Sequence, residues 1–467
     1  MDFRISFAGE IMQTPEQILI GELMRLVEMQ AAEIKMLKAR IVELERKLER
    51  YTIRKDSRNS SIPPSKDENR PNRTNSLREQ SDKKVGGQPG HEGKTLEMTA
   101  RPDEIIEHRC CFCPRCGNDV REMPVEVSDS RQVIDIPIIR QIVTEHRVYR
   151  HHCTCGHVFE SDFPDGVDWP VSYGRNIESL VGYLNVRQYV PFKRLQETMR
   201  DVFGVSISEG GLHCLLNRLS WKGAAAYQII RQTVLNSPVI GTDETGMKIN
   251  GKKHWFWTWQ SKLATFIAAS ANRGVNTIED RVHGISENAV LVHDCWRAHF
   301  KTPVGRHQIC TVHLIRELKY LEELYKVAWP VRFRIMLMEA DRLKKRMSAA
   351  DYLLVAHDRS WLEKCLLDLL NEPIDPRYKE LLSFQKRMVK YKRHLFTFLD
   401  DPAVPSHNND SEQAIRNVKV KQKVSGQFKT MFAAENFAIL RSIIETAIKN
   451  DQDVLPALNV IAHRQRD

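Results

Sequence analysis

No stretch of the chain is long and apolar enough to read as a membrane-spanning helix. Met1-Asp2-Phe3-Arg4 leads into no signal-peptide pattern. Cysteine is scarce outside one region: six of the ten lie between Cys110 and Cys155, and Cys214, Cys295, Cys310 and Cys365 are scattered. A secreted disulfide scaffold would be shorter and denser. The expected setting is therefore reducing cytoplasm, with one local metal site. Acids are outnumbered, 60 against 70 Lys and Arg, for a formal net charge of +10. That excess favours a polyanionic partner, of which DNA and RNA are the commonest; charge alone is equally consistent with a basic soluble enzyme. At 467 residues and 42% hydrophobic content the chain can form about three packed domains.

The N-terminal region, 14–52, holds a heptad from Ile20 to Leu48. Its a positions are Ile20, Val27, Ile34, Ile41 and Leu48; its d positions are Leu23, Gln30, Leu37 and Leu44. Mostly β-branched a residues with Leu at d favour a parallel two-stranded coil, so a homo-oligomer through this segment is expected. Residues 53–102 lack an apolar period and are rich in Ser, Asn, Pro, Gly, Lys and Arg. They read as a basic linker, either a solvated tether or an arm along nucleic-acid phosphates. Gly87 to Gly93-Lys94-Thr95 nearly matches a phosphate-binding loop, but the spacing is one residue too long. No strand precedes it and no amphipathic helix follows.

Region 103–168 carries Cys113-Pro114-Arg115-Cys116-Gly117 and Cys153-Thr154-Cys155-Gly156, with strand-like alternation between them from Arg131 to Tyr149. Close cysteine pairs around a hairpin resemble a zinc ribbon, so Cys113, Cys116, Cys153 and Cys155 are candidate ligands of a structural Zn²⁺, with Cys110, Cys111, His151, His152 and His157 as alternatives. One intervening residue in the second pair is tighter than usual. Residues 169–235 read as a helical module. Pro191 to Leu212 has the rhythm of helix, glycine turn and a second helix capped by Ser208, as in a helix-turn-helix or any short helical hairpin. Lys193 and Arg194 are its candidate phosphate contacts.

From residue 236 the pattern becomes α/β. Strands are expected at Pro238 to Asp243, Lys253 to Gln260, Ala264 to Ser270, Ala289 to Asp294 and from Gln308, with a helix at Asn276 to His283. This is the order of a ribonuclease-H-like sheet, in which acids from the first and fourth strands become neighbours. Side chains alternate along a strand, so Asp243 and Glu244 point oppositely, and Asp243 is the one expected in a site with Asp294. Residues 317–400 read as a helical insertion. Then Asn408-Asn409-Asp410-Ser411, all capping types, open a helix in which Glu412 is followed by Arg416, Lys419 and Lys423 on one face, with Lys421 between them. The bland reading is a capped surface helix with a Glu412–Arg416 ion pair. Together with the two strand acids, the pattern instead suggests a hard-cation site beside cations that meet phosphates.

These residues resemble the DDE transposases of bacterial insertion sequences, specifically the insertion sequence 66 family. The resemblance rests on 57–66, 86–95, the cysteine turns, Gly241 to Thr245, Val292-His293-Asp294, Cys310 to Arg316 and, most specifically, Asn408 to Arg416 with Lys421 to Gly426. It implies a multidomain α/β protein: leucine zipper, zinc-binding domain, and a ribonuclease-H-like core (236–430) with a helical insertion, then a C-terminal helical element (431–467). It implies Asp243, Asp294 and Glu412 as catalytic acids holding two Mg²⁺ or Mn²⁺ ions. His313, Arg316 and Asn409 are expected in support. The implied activity is DNA end cleavage followed by strand transfer, in the bacterial cytoplasm at the nucleoid. Small accessory proteins of the same element are a further class of partner. Two other readings remain: a metal-dependent nuclease on the same fold, and a DNA-binding regulator with inactive acids.

Overall fold

The computed structural model describes residues 15–52, 97–347 and 356–464. The linker signatures at 57–66 and 86–95 lie outside the described residues. The chain divides into two compact units. One comprises Met1–Pro71, Arg147–Gln196 and Ser208–Asp467; the other comprises Asn72–His146 and Glu197–Ile207.

In the smaller unit, the Cys113 to Gly117 segment is a tight turn. Gly117 N–H donates to the Cys113 carbonyl (2.9 Å), and Cys113 N–H donates to the Asn118 carbonyl (2.9 Å). Gly117 takes φ +78°, a conformation that favours glycine. The expected strand from Arg131 does not form: no residue from 131 to 149 is in a strand. Val133, Ile138 and Ile142 are 92%, 83% and 92% exposed. The apolar residues fall on both parities (133 and 143, but 134, 136, 138 and 142), so pairing could not bury them on one face.

The larger unit begins with α1 (Pro15–Thr52), one continuous helix. Its seam residues Leu23, Val27, Ile34, Leu37, Ile41 and Leu44 are each 50–62% exposed. A short antiparallel hairpin follows, β1 (Arg150–His152) with β2 (Val158–Glu160), and its turn carries Cys153 and Cys155. Gly156 N–H donates to the Cys153 carbonyl (2.9 Å). Next come α2 (Arg175–Gly182), a π-turn at Tyr183–Arg187, the start of α3 (Phe192–Phe203), which from Glu197 belongs to the smaller unit, and then α4 (Glu209–Lys222) and α5 (Ala224–Leu235). The Ser208 hydroxyl caps α4 by accepting from Gly211 N–H at 3.1 Å.

Glu178 of α2 has no exposed side-chain surface, and its Oε2 accepts from Arg218 (2.7 Å) and Lys222 (3.1 Å) of α4. Lone buried charges are costly. Glu178→Ala should therefore cost about 3 kcal/mol, read as a lowered urea midpoint. An unchanged midpoint would show that the two cations find water instead.

Five strands form the central sheet: β3 (Val239–Ile249), β4 (Lys252–Gln260), β5 (Thr265–Ser270), β6 (Val290–His293) and β7 (Arg306–Ile309), with α6 (Val275–Arg281) between β5 and β6. Their order is β5-β4-β3-β6-β7. The first three run antiparallel, and β6 and β7 are parallel to β3. The first strand does not stop at Asp243 as expected. It continues to Ile249 because Asn250 and Gly251, at φ +46° and +74°, close a tight hairpin to β4. In β4, Trp257 and Trp259 are buried and stacked at 5.5 Å. Truncating either would remove about 3–5 kcal/mol.

Helices α7 (Thr311–Tyr325), α8 (Ala328–Arg346), α9 (Ala356–Asn371) and α10 (Lys379–Tyr391) follow, joined by a core of Trp329, Phe333, Phe384 and Leu residues. Then α11 (Asn409–Ser425) returns to β3 and β4, α12 (Met431–Lys449) covers β5, and α13 (Val454–His463) closes the described chain. The edge of β5 is capped by side chains of α12. Ile267 N–H donates to Ser442 Oγ (2.8 Å) and Thr265 N–H to Thr446 Oγ1 (3.1 Å), so donors that would face solvent are satisfied.

Candidate active site

Adjacent residues of β3 serve different neighbours. Asp243 is half-buried and accepts Glu244 N–H on Oδ1 at 2.9 Å. Desolvation raises its pKa to about 7, with further upward pressure from Glu244 and Asp294; Lys419 and His313 pull the other way. Glu244 is buried. Its Oε1 accepts from Arg273 Nε (2.9 Å) and Nη2 (2.6 Å), and its Oε2 lies 3.1 Å from His299 Nε2. Burial opposes ionisation of Glu244, but His299 and Arg273 outweigh it and hold the carboxyl below its usual range. The Arg273 guanidinium is itself held between Trp255 and Trp296, at 4.8 and 4.4 Å from their rings.

Asp294 follows β6. Its Oδ1 accepts Trp296 N–H (3.1 Å) and stands 3.5 Å from His299 Nε2. One buried imidazole thus spans Glu244 and Asp294. Strand alternation separates Glu244 from Asp243, yet His299 connects Glu244 to the other acid. No periodic pattern marks His299 or Arg273, because they lie on a short turn and a loop.

Glu412 comes from the first turn of α11, with its side chain 14% exposed. Its Oε1 is 3.6 Å from His313 Nε2 in α7, and its Oε2 is 3.4 Å from Arg416. Burial works against a charged His313, but the nearness of Cys310, Glu412 and Asp294 lifts its pKa to about 9. His313 therefore senses two of the three acids and is sensed by the third.

The docking of α11 is specific. The Asn408 side chain was expected to cap the helix; instead its Nδ2 donates to the Thr242 carbonyl of β3 at 2.7 Å, and it makes no cap bond. Asn408 N–H reaches Cys310 Sγ (3.3 Å). Thr311 donates to the Ser406 carbonyl from both N–H and Oγ1, each at 3.0 Å. Gln260 Nε2 donates to Ser411 Oγ (3.2 Å). These bonds pin the segment before Glu412 to both β3 and the β7–α7 junction.

The remaining candidates divide by exposure. Arg416 and Lys423 are exposed, Lys419 is half-buried, and Lys193 and Arg194 are exposed at the start of α3. Lys421 is buried: its Nζ donates to Asn185 Oδ1 at 3.3 Å, and burial lowers its pKa to about 8. It therefore anchors α11 to the π-turn rather than presenting a charge outward. Arg316 is half-buried on α7, and Asn409 is exposed. The structural partner is Asn408, one residue earlier. In the cysteine turns, backbone donors from Cys116 and then Arg115 lower the Cys113 pKa, and bonds from Cys155 lower that of Cys153. Thiolates so stabilised suit a metal.

Carboxylates and histidines thus converge where three separate segments meet on a mixed sheet. A divalent cation suits this donor set. Glu412 Oε1 is buried without a hydrogen-bond partner, and Asp243 is pressed toward protonation by desolvation and then by Glu244 and Asp294. The fold is of the α/β class, a five-stranded mixed sheet packed with helices. The family described as Transposase IS66 family matches residues 170–436, and the chain belongs to it. That family makes the protein an enzyme that acts on DNA. A family of unknown function (DUF6444) matches residues 10–97. No curated protein matches the chain. Among the described residues no helix is long and apolar enough to cross a membrane.

Proposed function

We propose that the protein is a DDE-type transposase that cuts the ends of its own insertion sequence and joins them to target DNA. The observation that carries this is that Glu412 of α11 and Asp294 after β6 both act on His313, which in turn acts on Asp243 of β3, on a five-stranded mixed sheet of order β5-β4-β3-β6-β7. Held by these three acids, two Mg²⁺ or Mn²⁺ ions would activate an attacking oxygen and neutralise a leaving one. The protein's own groups do the rest. Glu244 and Arg273 fix His299, which steadies the Asp294 carboxylate. Lys419 and His313 offset the clustered negative charge. Arg416 and Lys423, exposed beyond Glu412 on the same helix, receive phosphates. Water first cleaves a phosphodiester at the element's end and leaves a 3′-OH; that hydroxyl then displaces a 3′-oxygen in target DNA. The cysteine thiolates are donors suited to Zn²⁺, and α1, with its exposed heptad seam, pairs with a second copy.

The test is incubation of purified protein with DNA carrying the flanking ends of its gene and a target plasmid, in Mg²⁺ or Mn²⁺. Cleaved 3′-OH ends and joined products are expected, and chelation should remove both. Cleavage without joining of pre-cut ends would favour the nuclease. DNA left intact, though bound, would favour a regulator.

A further inference from the structure

Beside the hard acids lies a softer donor, Cys310, that the reaction above does not use. Cys310 precedes α7 and His313 lies three residues on, so the helix presents both on one side. Glu412 approaches from α11. Ligand atoms of Cys310, His313 and Glu412 all lie within 4.8 Å of one another, and among the described residues this is the one such group of three His, Cys, Asp or Glu. Ordinary core packing explains a buried cysteine. It does not explain why Glu412 Oε1 and His313 Nδ1 are both buried without a hydrogen-bond partner. The nearest approach of the two side chains, 3.6 Å, is too long for a hydrogen bond. Leaving a buried charged-group oxygen unsatisfied costs about 1–3 kcal/mol or more.

We propose that Cys310, His313 and Glu412 form a second cation site, selective for a borderline ion such as Zn²⁺ or Co²⁺, that shares Glu412 with the acidic centre. One sulfur, one imidazole nitrogen and one carboxylate oxygen are a three-ligand zinc set with a fourth position open. Thiolate and imidazole prefer Zn²⁺ and Co²⁺ to Mg²⁺. The backbone that carries the donors is rigid, because Asn408 and Ser406 tie α11 to the β7–α7 junction. An ion held there engages Glu412 and withdraws it from Asp243 and Asp294. Zinc is then an inhibitor of the Mg²⁺-dependent reaction. This consequence, unlike the binding itself, rests on the reading of Glu412 as a catalytic acid.

Full-length protein is titrated with Co²⁺ without Mg²⁺, following thiolate-to-cobalt charge-transfer absorption and the number of ions bound. The cysteine turns contribute equally to wild type and Cys310→Ser, so the difference isolates this site. Cys310→Ser should bind one ion fewer and lose part of the band. Glu412→Gln should weaken that ion by more than the ~10–100-fold typical of an outer-shell partner. Thermal unfolding of both variants checks that they remain folded. Equal stoichiometry and equal spectra in wild type and both folded variants would overturn the site. In the end-cleavage assay, the ratio of rates with and without micromolar Zn²⁺ should fall about 10-fold or more in wild type and stay near one in Cys310→Ser. Equal inhibition of both would overturn the competition. A Cys310-dependent cobalt signal in a protein that cleaves no DNA would uphold the site and reject only the transposase reading.

Discussion

Asp243→Asn should reduce end cleavage by ~10³-fold or more while leaving folding and DNA binding in place. The substitution keeps the shape of the side chain and an oxygen for the Glu244 N–H now bonded to Oδ1 at 2.9 Å. What it removes is the charge. In metal-free protein that charge is a liability: desolvation, Glu244 and Asp294 raise the Asp243 pKa from 3.8 to about 7. A folded-state pKa above the unfolded one means that the native protein holds the extra proton between those values. Asp243 therefore contributes stability at low pH that is lost as pH rises from about 4 to about 7. The Asn variant lacks this component, so wild type minus variant should decline across that window. The same neighbours that make the carboxylate unfavourable alone make it useful to a cation. Single-turnover cleavage and unfolding across pH measure the two effects. A variant that still cleaves would refute the role of Asp243; one that no longer binds DNA would point to a structural defect.

The parts of this architecture readable in advance are those governed by local period and local chemistry. Apolar runs locate four of the five strands to within two positions, and of the other, β3, they locate the start but not the end, which lies six residues past Asp243. Ser208 acts as the cap its residue type suggests, because a cap needs only the next turn of helix. Errors arose where a distant partner decides. The run from Arg131 is rich in β-branched residues, but they fall on both parities and no strand forms there. Asp243 looked terminal because Glu244 and Thr245 are polar, whereas Glu244 is buried by Arg273 and His299. Lys421 looked like one more cation on a basic face, but α11 turns it toward Asn185. Asn409 is exposed on the first turn of α11, and it is Asn408, one residue before the helix, that reaches back to β3. Helical and strand periods give faces; they do not say which face meets which.

The dependence of Glu412 on long-range docking leads to a second large effect, at Gly241. By local preference Gly241→Ala should stabilise a strand by about 0.5–1 kcal/mol. Docking predicts the opposite. A Cβ at Gly241 would stand 2.5 Å from Ser411 Oγ, 3.0 Å from Asn408 Oδ1 and 3.3 Å from Gln260 Nε2. Two of these atoms belong to the segment that aims Glu412, and Asn408 is held by its own bond to Thr242. Overpacking of about 1–3 kcal/mol exceeds the local gain, so Gly241→Ala should lower stability. A displacement of α11 near 1 Å would cost about 10²-fold in cleavage, far more than the loss in folding. Ser411→Ala removes the nearest clashing atom at the expense of the 3.2 Å bond from Gln260. The Gly241→Ala/Ser411→Ala pair should therefore be more active than Gly241→Ala alone, with a coupling of about 0.5–3 kcal/mol in the double-mutant cycle. Additive effects would mean that α11 does not sit against β3 at Gly241. A coupling confined to stability would separate the docking of α11 from the placement of Glu412. Coupling in both would tie the third acid to a hydrogen atom on the first strand, two residues before the first acid.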